Sequence, residues 1–222
     1  TPIGEPVPPT EVDYLVVGSG AGGSVMAYRL ACEAPGARIA VIERGGRFSP
    51  RDDVSDYELD MISKLYKEGG LQQTKRADMT ILQGECVGGG SVVNNAVCYR
   101  MPDHIRQLWA AEYGLTLDGL DEEYDRIAAE IEIGPLSPRG INRSVEHKFR
   151  TAVTEFNANG GNLSDVSPVQ VNGPDARGDG LWNLGNKYFG KRTVLETYIP
   201  WSEARGVQYV PNVTAVDFAV TK

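Results

Sequence analysis

Six residues near the N-terminus, Gly18-Ser19-Gly20-Ala21-Gly22-Gly23, carry the spacing G-x-G-x-x-G. Glycine at the first position permits a tight turn, at the second it lets backbone approach a diphosphate, and at the third it lets a helix lie close to a strand. The chemistry such a loop supports is binding rather than bond breaking: N–H groups at the positive end of a helix dipole hold the pyrophosphate of a dinucleotide. Twenty residues beyond Gly23, Glu43 offers a carboxylate that accepts hydrogen bonds from an adenosine ribose and repels a 2′-phosphate. The motif alone does not choose among dinucleotides, and an ordinary tight turn also uses glycines, so the flanking elements matter.

Those elements read as a strand over 13–17, the glycine turn over 18–23, a helix over 24–33 and a second strand over 37–43. A unit of this kind forms a right-handed crossover between parallel strands, with the first strand buried, which predicts an α/β fold. A second glycine run, Gly88-Gly89-Gly90-Ser91, comes at a distance and leads to Asn94. Three glycines can bring backbone amides against a flat or charged ligand, and Ser91 and Asn94 add side-chain hydrogen bonds. A plain glycine-rich loop between strands would share that pattern.

Composition removes several classes of function. The 222 residues, 41% of them apolar, support one substantial core or a core with a small lobe. A formal charge of −8 disfavours nucleic acid, whose binding needs clustered Lys and Arg. No stretch approaches the roughly 20 apolar residues of a membrane span. Cys32, Cys86 and Cys98 are widely spaced and form no ligand pattern with the two histidines, so neither a disulfide framework nor a metal site is expected. The chain opens on Thr1 and a Pro-rich stretch that reads either as an exposed arm left by processing, compatible with a secreted or periplasmic protein, or as an artificial cut in a longer sequence, so the compartment is left unknown. Sequons at Asn142, Asn162 and Asn212 do not decide the compartment.

Farther along, Tyr57, Met61, Leu65 and Tyr66 fall at helical spacing, and helices are expected over 103–112, 121–132 and 144–158. Leu120, Tyr124, Ile127 and Ile131 mark one face of the second of these. Between 160 and 187 the Gly, Asn, Asp and Pro content, including the Asn172-Gly-Pro-Asp and Gly178-Asp-Gly runs, predicts long loops around a short strand at 168–171. A helix over 191–204 and a strand pair over 207–210 and 213–220 close the chain. A final apolar strand leaves a sheet edge needing a partner, so the chain is expected to be part of something longer. The organisation read from the sequence is an extended arm over 1–11, a βαβ unit over 12–50, its continuation with cap helices over 51–145, part of a substrate-side lobe over 146–190, and a return to the first domain over 191–222.

Together these segments resemble the glucose–methanol–choline (GMC) family of FAD oxidoreductases, nearest its cholesterol oxidase and long-chain alcohol oxidase branches. The family shows Gly-Gly-Ser-Ser-x-x-Asn followed by an aromatic residue and an arginine. Here the run is Gly88-Gly89-Gly90-Ser91-Val92-Val93-Asn94, with Tyr99 and Arg100 after it. Trp109, the Leu120-Asp-Glu-Glu-Tyr124 run, and Lys191-Arg192-Thr193 through Tyr198-Ile-Pro200 toward Val213 fall in the family's order. The resemblance implies a Rossmann-like FAD-binding parallel sheet with helices and a partial α-rich substrate-side lobe, incomplete without a C-terminal part. It implies an extended FAD, with pyrophosphate on Gly18, Ser19, Gly20, Ala21, Gly22 and Gly23, ribose on Glu43 with Arg44 beside it, and adenine at the Val213 backbone. The isoalloxazine would lie against Gly88, Gly89, Gly90, Ser91, Asn94 and Asn95, with Ala96 and Val97 following. Some relatives attach flavin through a histidine where this chain has Val93, so the FAD is expected to be non-covalent. The cysteine-rich stretch of long-chain alcohol oxidases has no counterpart in the run from Gly180 to Gly190.

The activity so implied is alcohol oxidation by hydride transfer to flavin N5, with a base, usually histidine, taking the hydroxyl proton. His104, at a helix start, and His147, among charges, read as solvated side chains rather than that base. The family places its histidine near the C-terminus. The catalytic residues are therefore expected outside this chain, in a C-terminal half present as a missing part or a second polypeptide. A lyase or photochemical relative on the same fold, or a non-catalytic FAD-binding subunit, would share the motifs; alcohol-dependent flavin bleaching separates them.

Overall fold

The chain, a computed structural model, is described for residues 7–173 and 181–220. The Gly178-Asp-Gly run, the end of the Asn172-Gly-Pro-Asp run and the first six residues of the Pro-rich arm lie outside the described residues. In chain order the elements are β1 (Tyr14–Val17), α1 (Ala21–Glu33), β2 (Ile39–Ile42), α2 (Glu58–Leu65), α3 (Gly90–Val93), α4 (Asp103–Tyr113), α5 (Leu120–Glu130), β3 (Ile133–Pro135), α6 (Arg143–Ala158), β4 (Gln170–Asn172), α7 (Tyr198–Glu203) and β5 (Gln208–Val210). They fall into two compact units, one of residues up to Asn95 together with those from 181 onward, the other from Ala96 to the end of the first described stretch.

The first unit is a parallel sheet in the order β1-β2-β5. Tyr14 pairs with Ile39 and Val17 with Ile42, while Ala40 pairs with Gln208 and Ile42 with Val210. Parallel neighbours need crossovers, which α1 supplies between the first two strands. All four residues of β2, Ile39-Ala-Val-Ile42, are buried, as a central strand of a covered parallel sheet requires. The first strand departs from expectation: Leu15 is 55% and Val17 65% exposed. Among the described residues β1 pairs only with β2, so it is an edge strand rather than a buried one. On α1 the buried residues are the small Ser24 and Ala27. The helix packs on α7 through a ring cluster in which Tyr28, Tyr198 and Trp201 have centroids 5.2 to 5.8 Å apart, in the tilted and edge-on geometries that aromatic pairs favour.

Beside the sheet lies a cluster of buried side chains that includes Val54, Met61, Leu65, Tyr66, Cys86, Val92, Val93 and Leu184. It explains two local structures. Met61 and Leu65 share the inward face of α2, as their spacing predicts. The glycine run ends not in an open loop but in the one-turn α3, because Gly88 and Gly89 turn the chain with φ of +95° and +52° and aim Val92 and Val93 into that cluster.

Two expectations for the C-terminal segment are corrected. Only Tyr198–Glu203 of the 191–204 stretch is helical; residues 191–197 are held instead by polar side chains, Thr193 N–H donating to Glu196 Oε2 at 2.8 Å and Lys191 N–H to Asn186 Oδ1 at 3.0 Å. Residues 213–220 form no strand. Asn212 adopts a left-handed φ of +60° that turns the chain after β5, leaving Val216, Phe218 and Val220 exposed.

In the second unit α4, α5 and α6 lie within two residues of the expected spans. Glu132, at φ +56°, ends the helical path early and feeds β3, a strand the sequence did not announce. It pairs antiparallel with β4, Gly134 opposite Val171, so the expected strand at 168–171 is shifted to 170–172. Asn142 caps α6, its Oδ1 accepting from Ser144 N–H at 3.1 Å and Val145 N–H at 3.2 Å, the side-chain geometry that satisfies orphan donors at a helix start.

Candidate cofactor site

The first glycine loop gives each of its three motif positions a different task. Gly18, at φ +92°, turns the chain off β1 in a conformation L side chains rarely adopt, its N–H donating to Ile42 O at 2.8 Å. Gly23 sits so close to the strand end that an added Cβ would lie 1.9 Å from Gly18 O. Gly20 is the N-cap of α1, extended at φ −63° and ψ −175°, with no side-chain cap bond; a Cβ there would meet nothing within 4 Å. The first N–H groups of α1 have no intrahelical acceptor.

The second glycine run closes on the first. A Cβ on Gly89 would lie 2.9 Å from Gly20 Cα, so the two backbones meet with no room for a side chain. Around this meeting point is a cavity of about 500 Å³ lined by Gly18, Gly20, Glu43, Arg44, Gly89, Gly90 and Val213, with Val17, Ile42, residues 82–85 and residues 214–215 completing it. Seven of the sequence candidates, drawn from four separate segments, thus share one cavity.

Glu43 clasps the site together. Its Oε2 accepts from Ser19 N–H at 2.9 Å and Ser19 Oγ at 2.8 Å, and its Oε1 from Gly45 N–H at 2.9 Å. Ser19 is fully buried, and its Oγ in turn accepts from Gly88 N–H at 3.1 Å, linking the two glycine runs through one hydroxyl. A carboxylate has about four lone-pair sites, so Glu43 retains acceptor capacity beyond these three bonds. Replacing Glu43 with alanine would strip partners from Ser19 and Gly45; we expect a loss of roughly 2–4 kcal/mol of stability, readable as a lower urea midpoint with an unchanged slope.

The remaining candidates serve the scaffold. Ser91 Oγ donates to Gly88 O at 2.8 Å and accepts from Val194 N–H at 3.3 Å, so its hydroxyl fixes the run. Ala21 and Gly22 are exposed in the first turn of α1 and are not among the residues lining the cavity. Val213 N–H donates to Glu43 O at 2.8 Å, which leaves its carbonyl as the group for a ligand. Asn94 and Asn95 are exposed, and Asn94 Oδ1 accepts from Lys191 Nζ at 3.1 Å. Ala96 and Val97 belong to the second unit, where Val97 bridges Val171.

Among the cavity residues the cation is Arg44, paired with Glu85 at 2.7 Å. An anionic ligand here would be met chiefly by backbone N–H groups and the helix dipole rather than by free basic side chains. Burial pushes the Cys86 thiol up to about 12, which keeps it neutral and unreactive. His104 and His147 are exposed side chains carried on α4 and α6. No group of three or more potential metal ligands occurs among the described residues, and no described helix is long and apolar enough to cross a membrane.

Three contributors escaped the sequence reading. Gly45 would place a Cβ 2.2 Å from Glu85 backbone atoms, and Gly84 one 2.7 Å from Gly89 backbone; close approaches of backbone to backbone leave no periodic signal. The glycines just after Arg44 and Gln83 were the available hint. The third is Lys191, buried and given no part in the site by the sequence, where it only opens the expected 191–204 helix.

Comparison with known proteins gives concordant results. Residues 62–221 match the GMC oxidoreductase family and residues 16–61 the NAD(P)-binding Rossmann-like domain. A long-chain-alcohol oxidase of Arabidopsis thaliana is 31% identical over 209 residues, covering 94% of this chain and 27% of its own length. A cholesterol oxidase of Acinetobacter baumannii is 28% identical over 235 residues, covering 93% and 41%. Among solved structures, pyridoxine 4-oxidase from Mesorbium loti has a TM-score of 0.59 at 18% identity, covering 91% of this chain and 42% of that one. A formate oxidase of Aspergillus oryzae has a TM-score of 0.56 at 16% identity, covering 90% and 38%. The chain thus spans less than half the length of each.

Proposed function

We propose, since the chain belongs to the GMC oxidoreductase family, that it is the N-terminal, FAD-binding part of an enzyme that oxidises an alcohol CH–OH group. The observation that carries this reading is the meeting of two glycine runs around one cavity, with Gly89 too close to Gly20 for any side chain. That space fits a diphosphate approached by backbone, and Glu43 at its rim fits the ribose of the same ligand. FAD would be held with its pyrophosphate at the start of α1, its ribose on Glu43, its adenine by Arg44 and the Val213 carbonyl, and its ring system against residues 88–95. When bound, the flavin supplies at N5 the acceptor for the hydride that leaves the alcohol carbon.

The chain's own residues bind and orient. The N–H groups of the 88–95 segment are fixed dipoles suited to negative charge building on a neighbouring ring. Val93 is aliphatic, and the attachment to FAD is non-covalent in this reading. The proton acceptor is neither His104 nor His147, both exposed to solvent on α4 and α6; we assign it to the part of the enzyme that corresponds to the relatives' unspanned length, whether on this polypeptide or another. Long-chain alcohols and sterols are the substrate classes the relatives bring forward. Anaerobic mixing of the FAD-loaded enzyme with a long-chain primary alcohol or a sterol should bleach the oxidised flavin band, with aldehyde or ketone formed in equal amount. A flavin that stays oxidised with every alcohol tried, while dithionite still reduces it, would overturn the assignment.

A further inference from the structure

Among the described residues the largest fully buried side chain is that of Lys191, 1% exposed. Its Nζ donates to Val92 O at 2.8 Å, Asn94 O at 2.7 Å and Asn94 Oδ1 at 3.1 Å, which uses all three ammonium protons. The first two acceptors are carbonyls at the end of α3, groups that the short helix itself leaves without donors, and a cation there also suits the negative end of the helix dipole. Among the described residues no carboxylate forms an ion pair with the ammonium. Glu196, the carboxylate that acts on it through space, is bound to Thr193 N–H at 2.8 Å and to Asn186 Nδ2 at 3.1 Å. Asn186, itself buried, brackets the Lys191 backbone, accepting from its N–H at 3.0 Å and donating to its carbonyl at 2.8 Å.

Such a residue is poorly explained as packing alone. An apolar side chain of similar volume would cost nothing to desolvate, whereas a buried ammonium is costly unless its hydrogen bonds are complete. What the charge accomplishes is local: it fixes the turn through residues 92–94 that closes the second glycine run.

We infer that Lys191 is the positioning residue for the flavin ring, its buried ammonium locking the 92–94 turn and placing a positive charge on the segment the ring lies against. The inference rests on the FAD reading and extends it to a residue outside the cavity. A positive potential at that segment favours the reduced, more negative flavin. Burial also pulls the amine down from 10.5 to about 7, against the opposing influence of the Glu196 carboxylate, so the charge changes within an accessible range. The groups facing it are Glu196, Cys86, the Val92 and Asn94 carbonyls and the Asn94 amide; Cys86, held near 12 by burial, stays neutral through that range.

Lys191 has a lower pKa folded than unfolded, so between about 7 and 10.5 the unfolded chain binds more protons, and the contribution of this group to stability rises with pH through that window. The stability of the wild-type protein relative to Lys191→Met should therefore increase from pH 7 toward pH 10.

The test uses the intact, FAD-loaded protein. Flavin absorption and reduction potential, the latter by dye equilibration during dithionite reduction, are followed from pH 6 to 9 beside the NMR titration of lysine labelled at Cε. Wild type should show one lysine titrating near neutrality, with a step in the flavin spectrum and potential at the same midpoint. Lys191→Met should remove the step and shift the potential negative, and Lys191→Arg should restore the direction of the potential. Should Lys191→Met fail to fold, the wild-type titration decides alone. FAD uptake with a flavin signal indifferent to the lysine titration overturns the inference and spares the cofactor reading; failure of wild type to take up FAD overturns both.

Discussion

Gly20→Val is expected to yield a protein that folds and melts like wild type but retains no FAD. At Gly20 an added Cβ meets nothing within 4 Å, and the backbone, at φ −63° and ψ −175°, is one a valine adopts without strain. The space the new side chain enters is the one a pyrophosphate must occupy to reach the N–H groups of α1. Losing two charge-assisted hydrogen bonds, at about 1.5–3 kcal/mol each, weakens binding by roughly 10²- to 10⁴-fold. Equilibrium titration of flavin-free protein with FAD, beside a thermal melt, separates the two effects. Tight FAD binding by the valine variant would remove the phosphate-loop assignment.

Gly23→Ala should do the reverse and damage the fold itself. The new methyl group would lie 1.9 Å from Gly18 O and 3.1 Å from Gly18 C, and the atoms it meets are backbone, pinned by the Gly18 N–H bond to Ile42 O. Relief requires α1 to move away from the strand ends, opening the contacts of Ser24 and Ala27 as well. We expect a loss of at least about 3 kcal/mol, at the upper end of overpacking effects, read as a fall in the denaturation midpoint. Gly22→Ala is the control: a Cβ there meets nothing within 4 Å, and its stability should match wild type. Equal stability for the two alanine variants would show that α1 does not pack this closely on the end of β1.

The contrast between these glycines separates local signals from tertiary ones. The 18–23 loop, its flanking strands and Glu43 are legible from local rules, in which a strand, a turn and a helix are each written in consecutive residues. The helices α4, α5 and α6 were equally readable because their patterns are long and periodic. The failures were set by contacts between distant segments. The burial of β1 depends on neighbours that its own four residues cannot specify. Residues 191–197 carry helix-forming side chains, yet Asn186 and Glu196 recruit their backbone into a buried polar network, and tertiary bonding overrides propensity. Val213 was read as the start of a strand; it keeps one strand-like bond to Glu43 O, but the left-handed turn at Asn212 diverts the chain beyond it. The site candidates divide in the same way. Gly18, Gly20, Glu43, Arg44, Gly89, Gly90 and Val213 come together at the cavity, whereas Ser19 and Ser91 proved to be the hydroxyls that brace its walls, a distinction that spacing does not encode.

Whether the cavity between the two glycine runs is a site for FAD is decided by titrating the flavin-free intact protein with FAD and, separately, with NAD and NADP while following flavin fluorescence and heat. One FAD should bind per chain and come away as free FAD on denaturation, with little or no affinity for NADP if Glu43 holds the ribose as proposed, since its carboxylate would repel a 2′-phosphate. Binding of a nicotinamide dinucleotide in preference to FAD, or no dinucleotide binding at all, would show that the cavity is not a flavin site.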